Sequence, residues 1–469
     1  MNRSETILAS SDFGGPGTIR IVSFEAPLVS LEHVLEGAFL ANGVIWNDPA
    51  LERGFAGFGE VHRVSASGPR RFEDLAEAHT RLPPLLRFGD AVPDDLDVRY
   101  FGGAAFLPGA ASDEPWEAFG DADFRLPRFL YARSGERAFL HAAIAYDEAA
   151  SAAAREIAGV WAHLLEAESD QTEAEVVPAA AVHMTPIDAW IPYIETIRRT
   201  LVSGAFHKLV AHRRTLVEIG RATTDLSVLR RLRHEMSTSL RFAFRRGDAT
   251  FLGATPETLF RLERGKLHTE ALAGTLRSAG TDAPRLEAQS NRLMASPKDM
   301  HEHKLVVDQI DECLRPLCDE VDHASSPGIK KVRNILHLNT PIEAVARSGV
   351  GWPSFLAALH PTPAVGGLPK ANAAEWLAAH ESTARGWYAS PIGWFTPSGS
   401  AHFAVALRCG VLAYPNAYLY SGAGIVPDSS PIDEYTETSL KLMPMLTALS
   451  VETATLRSTF LPGALGMRP

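Results

Sequence analysis

Strand-like segments follow one another along much of this chain without the helices that parallel pairing would require between them. Up to about residue 145, short apolar runs alternate with Gly and Pro turns, as in GTIRIVSFEAP, FAGFGEVHRV and RYFGGAAFLPG. Later runs at KLVAHRRTLVEI, LRFAFRR, TFLGAT and TLFRLERGKLHTEAL repeat the pattern. HFAVALRCGVLAY and AYLYSGAGIV read as two strands joined by a turn at Pro415-Asn416. A doubly wound fold would show regular alternation of strand and helix. A mixed α+β architecture with mainly antiparallel strands is therefore expected.

At 469 residues the chain exceeds the usual single domain, which allows two or three domains or one large unit on an extended sheet. The stretch Asp147 to Glu166 has helical spacing, and AESDQTEAEVVPAAA after it is acidic and aperiodic, which makes it the candidate linker. The second half begins near Pro186 with a helix over IPYIETIRRTLVSGAF. Two further helices announce their own starts. One opens at Ser296-Pro297, with Ser as N-cap, Pro at the first helical position and Asp299 in the capping-box position, and runs through Val306, Ile310 and Leu314. The other opens in the same way at Ser430-Pro431, with Asp433 three residues after the cap, and continues to about Leu449.

A net charge of -11 excludes a general nucleic-acid surface but not a small anionic substrate, which a few local cations can hold. Cys313, Cys318 and Cys409 have no metal-type spacing and fit structural thiols in a reducing, cytoplasmic compartment. No run approaches the ~20 apolar residues of a membrane span, and the N-terminus lacks the apolar stretch of a signal peptide.

Glu302 shares a helical stripe with Val306 and Ile310, so its carboxylate points along an apolar face and needs a partner, a proton or a metal. Glu434, Glu437 and Lys441 share one face of the second helix, which fits either a solvated ion-pair ladder or a ligand set. In the ligand reading, Glu302 and Glu437 converge on one hard cation and Asp299 and Glu434 hold its waters, an oxygen set that suits Mg²⁺. In the plain reading, Asp299 closes a capping box and Glu302 pairs with a neighbouring Lys or Arg. Gly422 and Gly424 fall between a strand and a capped helix, where backbone N–H groups could meet an anion. Arg408 follows small residues in VALR and can either clamp a carboxylate or reach solvent from a strand end. Lys208 and Glu257 lie at strand ends. His301, His303, His337 and His360 lie near these motifs, but none belongs to a recognised metal spacing.

In order, KLVAHR, FLGATPETLF, EALAGTLR, PKDMHEHKLVVDQI, VRNILHLNTPI, LHPTPAVGGLP, RGWYASPIGW, VALR, GAGIVPDSSP and EYTETSLK resemble the chorismate-utilising enzymes. That family includes isochorismate, salicylate, anthranilate and aminodeoxychorismate synthases. The match runs from about Pro186 to Leu449, with a looser one at RYFGGAAFLPG, Trp116, Phe119 and Leu126 to Arg128. The resemblance implies one large unit of two packed, mainly antiparallel sheets with helices outside. Residues 1–180 would contribute to that unit, 186–450 would bind chorismate, and 451–469 would form a tail.

It also implies roles. Lys208 matches the general base that activates water at C2 of chorismate, and Glu257 the general acid that protonates the departing C4 hydroxyl. Glu302 and Glu437 match Mg²⁺ ligands, with Asp299 and Glu434 at outer positions. Tyr388, Arg408, Gly422, Gly424 and Lys441 match positions that hold substrate carboxylates, and Gly274, Thr275 and His337 match pocket positions. Ala364 in LHPTPAVGG resembles isochorismate synthases, where anthranilate- and salicylate-type relatives carry Thr. His212, Thr255 and Ser390 depart from the common pattern, where a small residue, Ser and Gly are usual. The expectation is an isomerase that converts chorismate to isochorismate as a monomer without a glutaminase partner, with a salicylate synthase as the alternative. Menaquinone, siderophore and salicylate biosynthesis all remain open as destinations of the product.

Overall fold

The computed structural model describes residues 15–36, 42–89, 92–166, 179–277, 283–332 and 335–452, except for the side chains of residues 275, 277, 283, 284, 332 and 335. The extreme N-terminus, most of the candidate linker (167–178) and the tail after 452 lie outside the described residues.

Two large sheets carry the fold. The larger has 13 strands, in the order Ala181–Met184, Lys208–Glu218, Asn416–Ile425, Cys409–Ala413, Ala249–Thr255, Leu240–Arg246, Asn42–Asp48, Arg53–Phe58, Phe129–Ser134, Arg137–Ala145, Ile19–Glu25, Leu86–Phe88. Gly367–Leu368 pairs beside the start of the Lys208–Glu218 strand. The second sheet has 10 strands, in the order Cys318–His323, Ile335–Ala346, Lys266–Arg277, Thr258–Glu263, Ala401–Val405, Pro391–Phe395, Tyr100–Ala104, Ala122–Leu126, His62–Ala66, with Gly328–Val332 beside Ile335–Ala346. Among the described residues every pairing is antiparallel except that of Ile19–Glu25 with Leu86–Phe88. Both sheets draw strands from the first 145 residues and from the second half of the chain, so neither half owns a sheet.

Side-chain alternation assigns the faces. Trp46, Phe242, Phe244, Phe251 and Tyr420 of the larger sheet join Phe101, Phe124, Trp394 and Phe403 of the second in one core between the sheets. The intervening Ile45, Ala243, Leu252 and Leu419 point the other way, onto helices Leu31–Leu35, Ala150–Leu165, Asp225–Glu235 and Pro431–Ala448. With both faces covered, these strands read as continuous apolar runs, which is why the sequence shows runs rather than clean alternation.

Both capped helices start where the sequence placed them, at Pro297–Leu314 and Pro431–Ala448. Ser296 and Ser430 accept from the Asp299 and Asp433 N–H groups. Asp299 does not close a box, because the Ser296 N–H is already donated to Leu293 O at 3.2 Å, which leaves the carboxylate for other work. The helix expected over 191–206 is Ile187–Val202, ended before Gly204, whose φ is 81°.

HFAVALRCGVLAY is not one strand. Ala401–Val405 belongs to the second sheet and Cys409–Ala413 to the larger one, and the chain changes sheet through Arg408 at φ 49°. TLFRLERGKLHTEAL is likewise a hairpin, turned at Arg264-Gly265. Apolar residues on both sides of the 406–408 break, and no Gly or Pro within it, hide the crossing from a pattern reading.

One buried cation ties the site's strand to its helix. Arg213 of Lys208–Glu218 donates to Thr438 Oγ1 (2.8 Å), Ser439 Oγ (2.6 Å) and Tyr435 O (3.2 Å), and stacks on the Tyr435 ring at 4.0 Å. Arg213→Leu strands these acceptors and is expected to lower stability by about 3 kcal/mol. Arg213→Lys should recover only part of the loss, because an ammonium lacks the planar fork. Urea denaturation of the two variants measures both effects.

Candidate active site

Two neighbouring crossings between the sheets place the central acid and cation. Thr255 ends one strand and Thr258 begins the next in the other sheet, so Glu257 sits in the gap. Arg408 sits in the corresponding gap between Val405 and Cys409. The crossings are bonded together: Val405 N donates to Glu257 O (3.0 Å), Thr255 Oγ1 donates to Val405 O (2.5 Å), and Ala254 N donates to Arg408 O (3.2 Å). Thr255 thus uses only the hydroxyl it shares with Ser, and its departure from the common pattern costs the site nothing.

Around this pair the charges converge. Burial is the main force that lifts the Glu257 carboxyl to about 7; the neighbouring Glu270 adds to it, while Arg408, Lys330 and Lys208 oppose it. Arg408 is pulled down from its ordinary value by burial, against Tyr388, Glu437 and Glu257. The residue is nonetheless half-buried rather than part of the core.

Lys208 begins its strand and points across Gly424, where an added Cβ would lie 2.6 Å from Lys208 Cε. At Gly422 a Cβ would lie 2.7 Å from Ala211 O and 3.0 Å from Tyr388 Oη. Both glycines lie inside the Asn416–Ile425 strand, paired with Val210 and His212, and not between strand and helix as the sequence suggested. The ladder continues through them because their work is to leave room on the sheet face.

Glu302 pairs with Lys208 Nζ at 3.2 Å, and Glu437 with Lys441 Nζ at 2.5 Å. Lys441 also donates to Gly422 O at 2.9 Å. Burial works against the charge on Glu437, but Lys441, Arg408 and Lys208 outweigh it and hold this carboxyl below its ordinary value. Glu434 goes the other way, raised by burial although Ser429 Oγ donates to it at 2.8 Å. Asp299 borders Gly274, whose φ of 70° makes the bulge where the 266–277 strand slips register against His337. Thr275 pairs with His337 in that ladder, but its side chain lies outside the described residues. His337 is driven down to about 4 by burial and by Arg408, with a bond to the Gly274 backbone opposing, so it is neutral at physiological pH.

The acidic residues offer only carboxylate oxygens, which suits a hard divalent cation. Among the described residues no three acidic, His or Cys side chains are drawn together closely enough to form a metal cage, since Glu302 and Glu437 each face a lysine instead. The donor chemistry fits Mg²⁺, and the pairing of Glu302 foreseen in the plain reading holds as well.

A second buried cluster escaped the sequence reading. His212 Nδ1 lies 2.8 Å from Glu381 Oε1, and Arg385 grips the same carboxylate while donating to Val210 O and Val365 O, both at 2.7 Å. Burial opposes the Glu381 charge, yet Arg385 and His212 hold this carboxyl at about 2. The cluster seats the loop carrying Ala364 and stacks, through His212, near Tyr388 and Tyr420. Beyond the departure at His212, its sequence signal is the Glu381/Arg385 spacing, which lies past a helix that ends at His380. His303 and His360 are core residues bonded to Thr340 Oγ1 and Phe106 O, and His301 is exposed.

Residues 18–450 match the family described as chorismate binding enzyme. The chain belongs to the chorismate-binding enzyme family. It is 35% identical over 408 residues to the salicylate biosynthesis isochorismate synthase of Pseudomonas aeruginosa, covering 86% of this chain and 84% of that one. With isochorismate synthase MenF of Bacillus subtilis it shares 30% identity over 422 residues, covering 88% of this chain and 89% of the relative. The solved structure of MenF, the menaquinone-specific isochorismate synthase of Escherichia coli, superposes with a TM-score of 0.77 at 25% identity, over 95% of this chain and 98% of that one. Anthranilate synthase component I of Streptococcus pneumoniae shares the fold, with a TM-score of 0.71 at 20% identity, over 85% of this chain and 93% of that one. In this family member the two-sheet fold and the site-bearing segments thus form one described arrangement, and no helix among the described residues is long and apolar enough to cross a membrane.

The raised Glu257 carboxyl has a consequence for stability. The folded state keeps its proton up to about pH 7, while the unfolded chain loses it near the ordinary value of 4.5. Stability therefore falls as pH rises through that window, by about 3 kcal/mol at most. Glu257→Gln removes the titration. At pH 8 it should be the more stable protein, with the difference vanishing as pH drops below 4.5; urea titrations across that range check the sign.

Proposed function

We propose that this family member is an isochorismate synthase, which reversibly converts chorismate to isochorismate by adding water at C2 and releasing the C4 hydroxyl. The observation that carries the reading is Glu257: a carboxyl that its surroundings raise to about 7 is a proton donor at neutral pH, and it lies within electrostatic reach of Lys208 and Arg408. The names of the two relatives that match most of the chain agree with it.

In this reading Lys208 takes the proton of the attacking water, and Glu257 gives one to the leaving hydroxyl. Arg408 and Lys441 face the substrate carboxylates, and Tyr388 with Gly422 and Gly424 shapes the wall that receives them. Gly274, Thr275 and His337 close the pocket, with His337 acting as a neutral hydrogen-bonding group. Glu302 and Glu437 would hold Mg²⁺, with Asp299 and Glu434 on its waters, and the ion would supply positive charge for a dianionic substrate. As arranged here Lys208 Nζ is paired with Glu302, so its work as a base requires that Glu302 be engaged elsewhere. Ala364 borders the small cavity at Glu257 and leaves space where Thr would add a hydroxyl. No ammonia source or glutaminase enters the scheme.

Incubation with chorismate and Mg²⁺ should yield isochorismate without pyruvate. Pyruvate and fluorescent salicylate from the purified enzyme would instead identify a salicylate synthase. Lys208→Ala and Glu257→Gln should each lower kcat by about 10²-fold or more while chorismate still binds. Glu437→Gln should weaken Mg²⁺ binding in a calorimetric titration, and unchanged affinity would remove Glu437 from the ligand set. In wild type, kcat/KM should fall as pH rises through about 7, where Glu257 gives up its proton.

A further inference from the structure

The reaction leaves Glu257 without its proton and Lys208 with an extra one, so each turnover must end with Glu257 being recharged where it sits, half-buried at its crossing. We propose that Glu270 is the relay residue through which Glu257 regains that proton, drawing it from a separate cleft that opens to solvent away from the substrate-facing groups. This inference rests on the assignment of Glu257 as the acid.

Three observations carry it. First, a small cavity of about 30 Å³ lies against Glu257 and is also lined by Glu270, Gln309 and Thr362. Such a space has room for about two waters. Gln309 Oε1 and Thr362 Oγ1 are buried there without a hydrogen-bond partner among the described residues, so water has groups to bind. Second, Glu270 lines this cavity and also a cleft of about 360 Å³ that holds Lys330, Lys331, His268 and Arg261 but none of the groups placed on the substrate. Third, Lys330 Nζ holds the Glu270 carboxylate at 2.5 Å, which fixes it between the two spaces with its side chain 15% exposed.

Thr258 and Thr269 also border both spaces, but a hydroxyl does not hold a proton in reserve as a carboxyl does, and the cavity's other titratable groups are unsuited to the task. Burial raises the Cys313 thiol above its ordinary value, so it stays protonated. Lys370 donates to Ala357 O and Ala358 O at 3.2 and 2.9 Å and is turned away. The charged groups that act on Glu257 are Glu270, Arg408, Lys330 and Lys208, of which only Glu270 borders both spaces and can carry a proton as a carboxyl.

The step balances. A solvent or buffer acid protonates Glu270 from the cleft, and the Glu270 O–H bond breaks as its proton passes to a cavity water. That water delivers a proton to the Glu257 carboxylate, where a new O–H bond forms. Glu270 is again a carboxylate paired with Lys330, and Lys208 releases its proton to solvent from the substrate side, so no net proton is gained or lost.

Glu270→Gln keeps the size of the side chain and an acceptor for Lys330 but cannot pass a proton from one oxygen to the other. At mildly acidic pH, rapid mixing with chorismate and Mg²⁺ should show a first turnover at the wild-type rate, followed by a steady-state rate lower by about tenfold or more. Imidazole, a small diffusible acid, should restore the steady state in proportion to its concentration, and Glu270→Asp should need no rescue. A Glu270→Gln enzyme with wild-type steady-state turnover overturns the relay. So does one whose first turnover is slowed equally and is deaf to imidazole, since that pattern belongs to a structural role. The underlying assignment fails separately, if Glu257→Gln still turns over; loss of activity there with an indifferent Glu270→Gln refutes the relay alone.

Discussion

Everything at the site depends on the bonding of two sheet-to-sheet crossings to each other. Where a strand leaves one sheet for the other, its backbone drops out of both ladders, and its polar groups must be satisfied locally. The Thr255–Thr258 and Val405–Cys409 crossings meet that demand mutually, through Thr255 Oγ1, Val405 N and O, Glu257 O and Arg408 O. The same geometry places Glu257 and Arg408 at the edge of a core between the sheets that is otherwise aliphatic and aromatic. A long charged side chain at mid-strand would have had to displace that core. At a crossing it needs only a cleft.

Charge pairing then separates carboxylates that would otherwise be alike. Glu257 and Glu437 both feel Arg408 and Lys208. Glu437 has in addition a direct 2.5 Å contact with Lys441, and its ionised form is favoured. Glu257 has Glu270 nearby instead, and burial dominates, so it keeps a proton. Glu381 is as enclosed as any of them, yet Arg385 and His212 fix it as an anion. Burial alone therefore does not make an acid; burial without a contacting cation does.

Much of this was legible in the residues. The Ser-Pro helix starts, the hairpin at Pro415-Asn416 and the run Leu240–Arg246 appear where local chemistry puts them, because caps, turns and short apolar runs act over a few residues. The ordered motifs from Lys208 to Lys441 carried the site, and the structure brings Lys208 to Glu302, Lys441 to Glu437 and Gly422, and Arg408 within reach of Glu257. What stayed hidden was non-local. Neither the break at Arg408 nor the Glu381–His212 pair, 169 residues apart in sequence, leaves a periodic trace. Strand order is hidden for the same reason: Asn42–Asp48 lies beside Leu240–Arg246 through pairings that no local pattern encodes.

The first 145 residues carry few of the ordered motifs, yet the family match runs through them from residue 18 and they support the site. Trp116 Nε1 donates to Tyr420 Oη at 2.9 Å, and Tyr420 stacks on Tyr388, the residue against Gly422. Trp387 Nε1 donates to Gly120 O, and Ser390 Oγ, the departure after the tyrosine, donates to Ala104 O at 2.7 Å. The Tyr388 segment is thus held from both ends by backbone carbonyls of the N-terminal half. A carbonyl is offered by every residue type, and an apolar wall can be built from many combinations of the same volume. The half of the chain that supplies supports therefore places looser demands on side-chain identity than the half that supplies charges, which agrees with motifs that are legible after Lys208 and sparse before it.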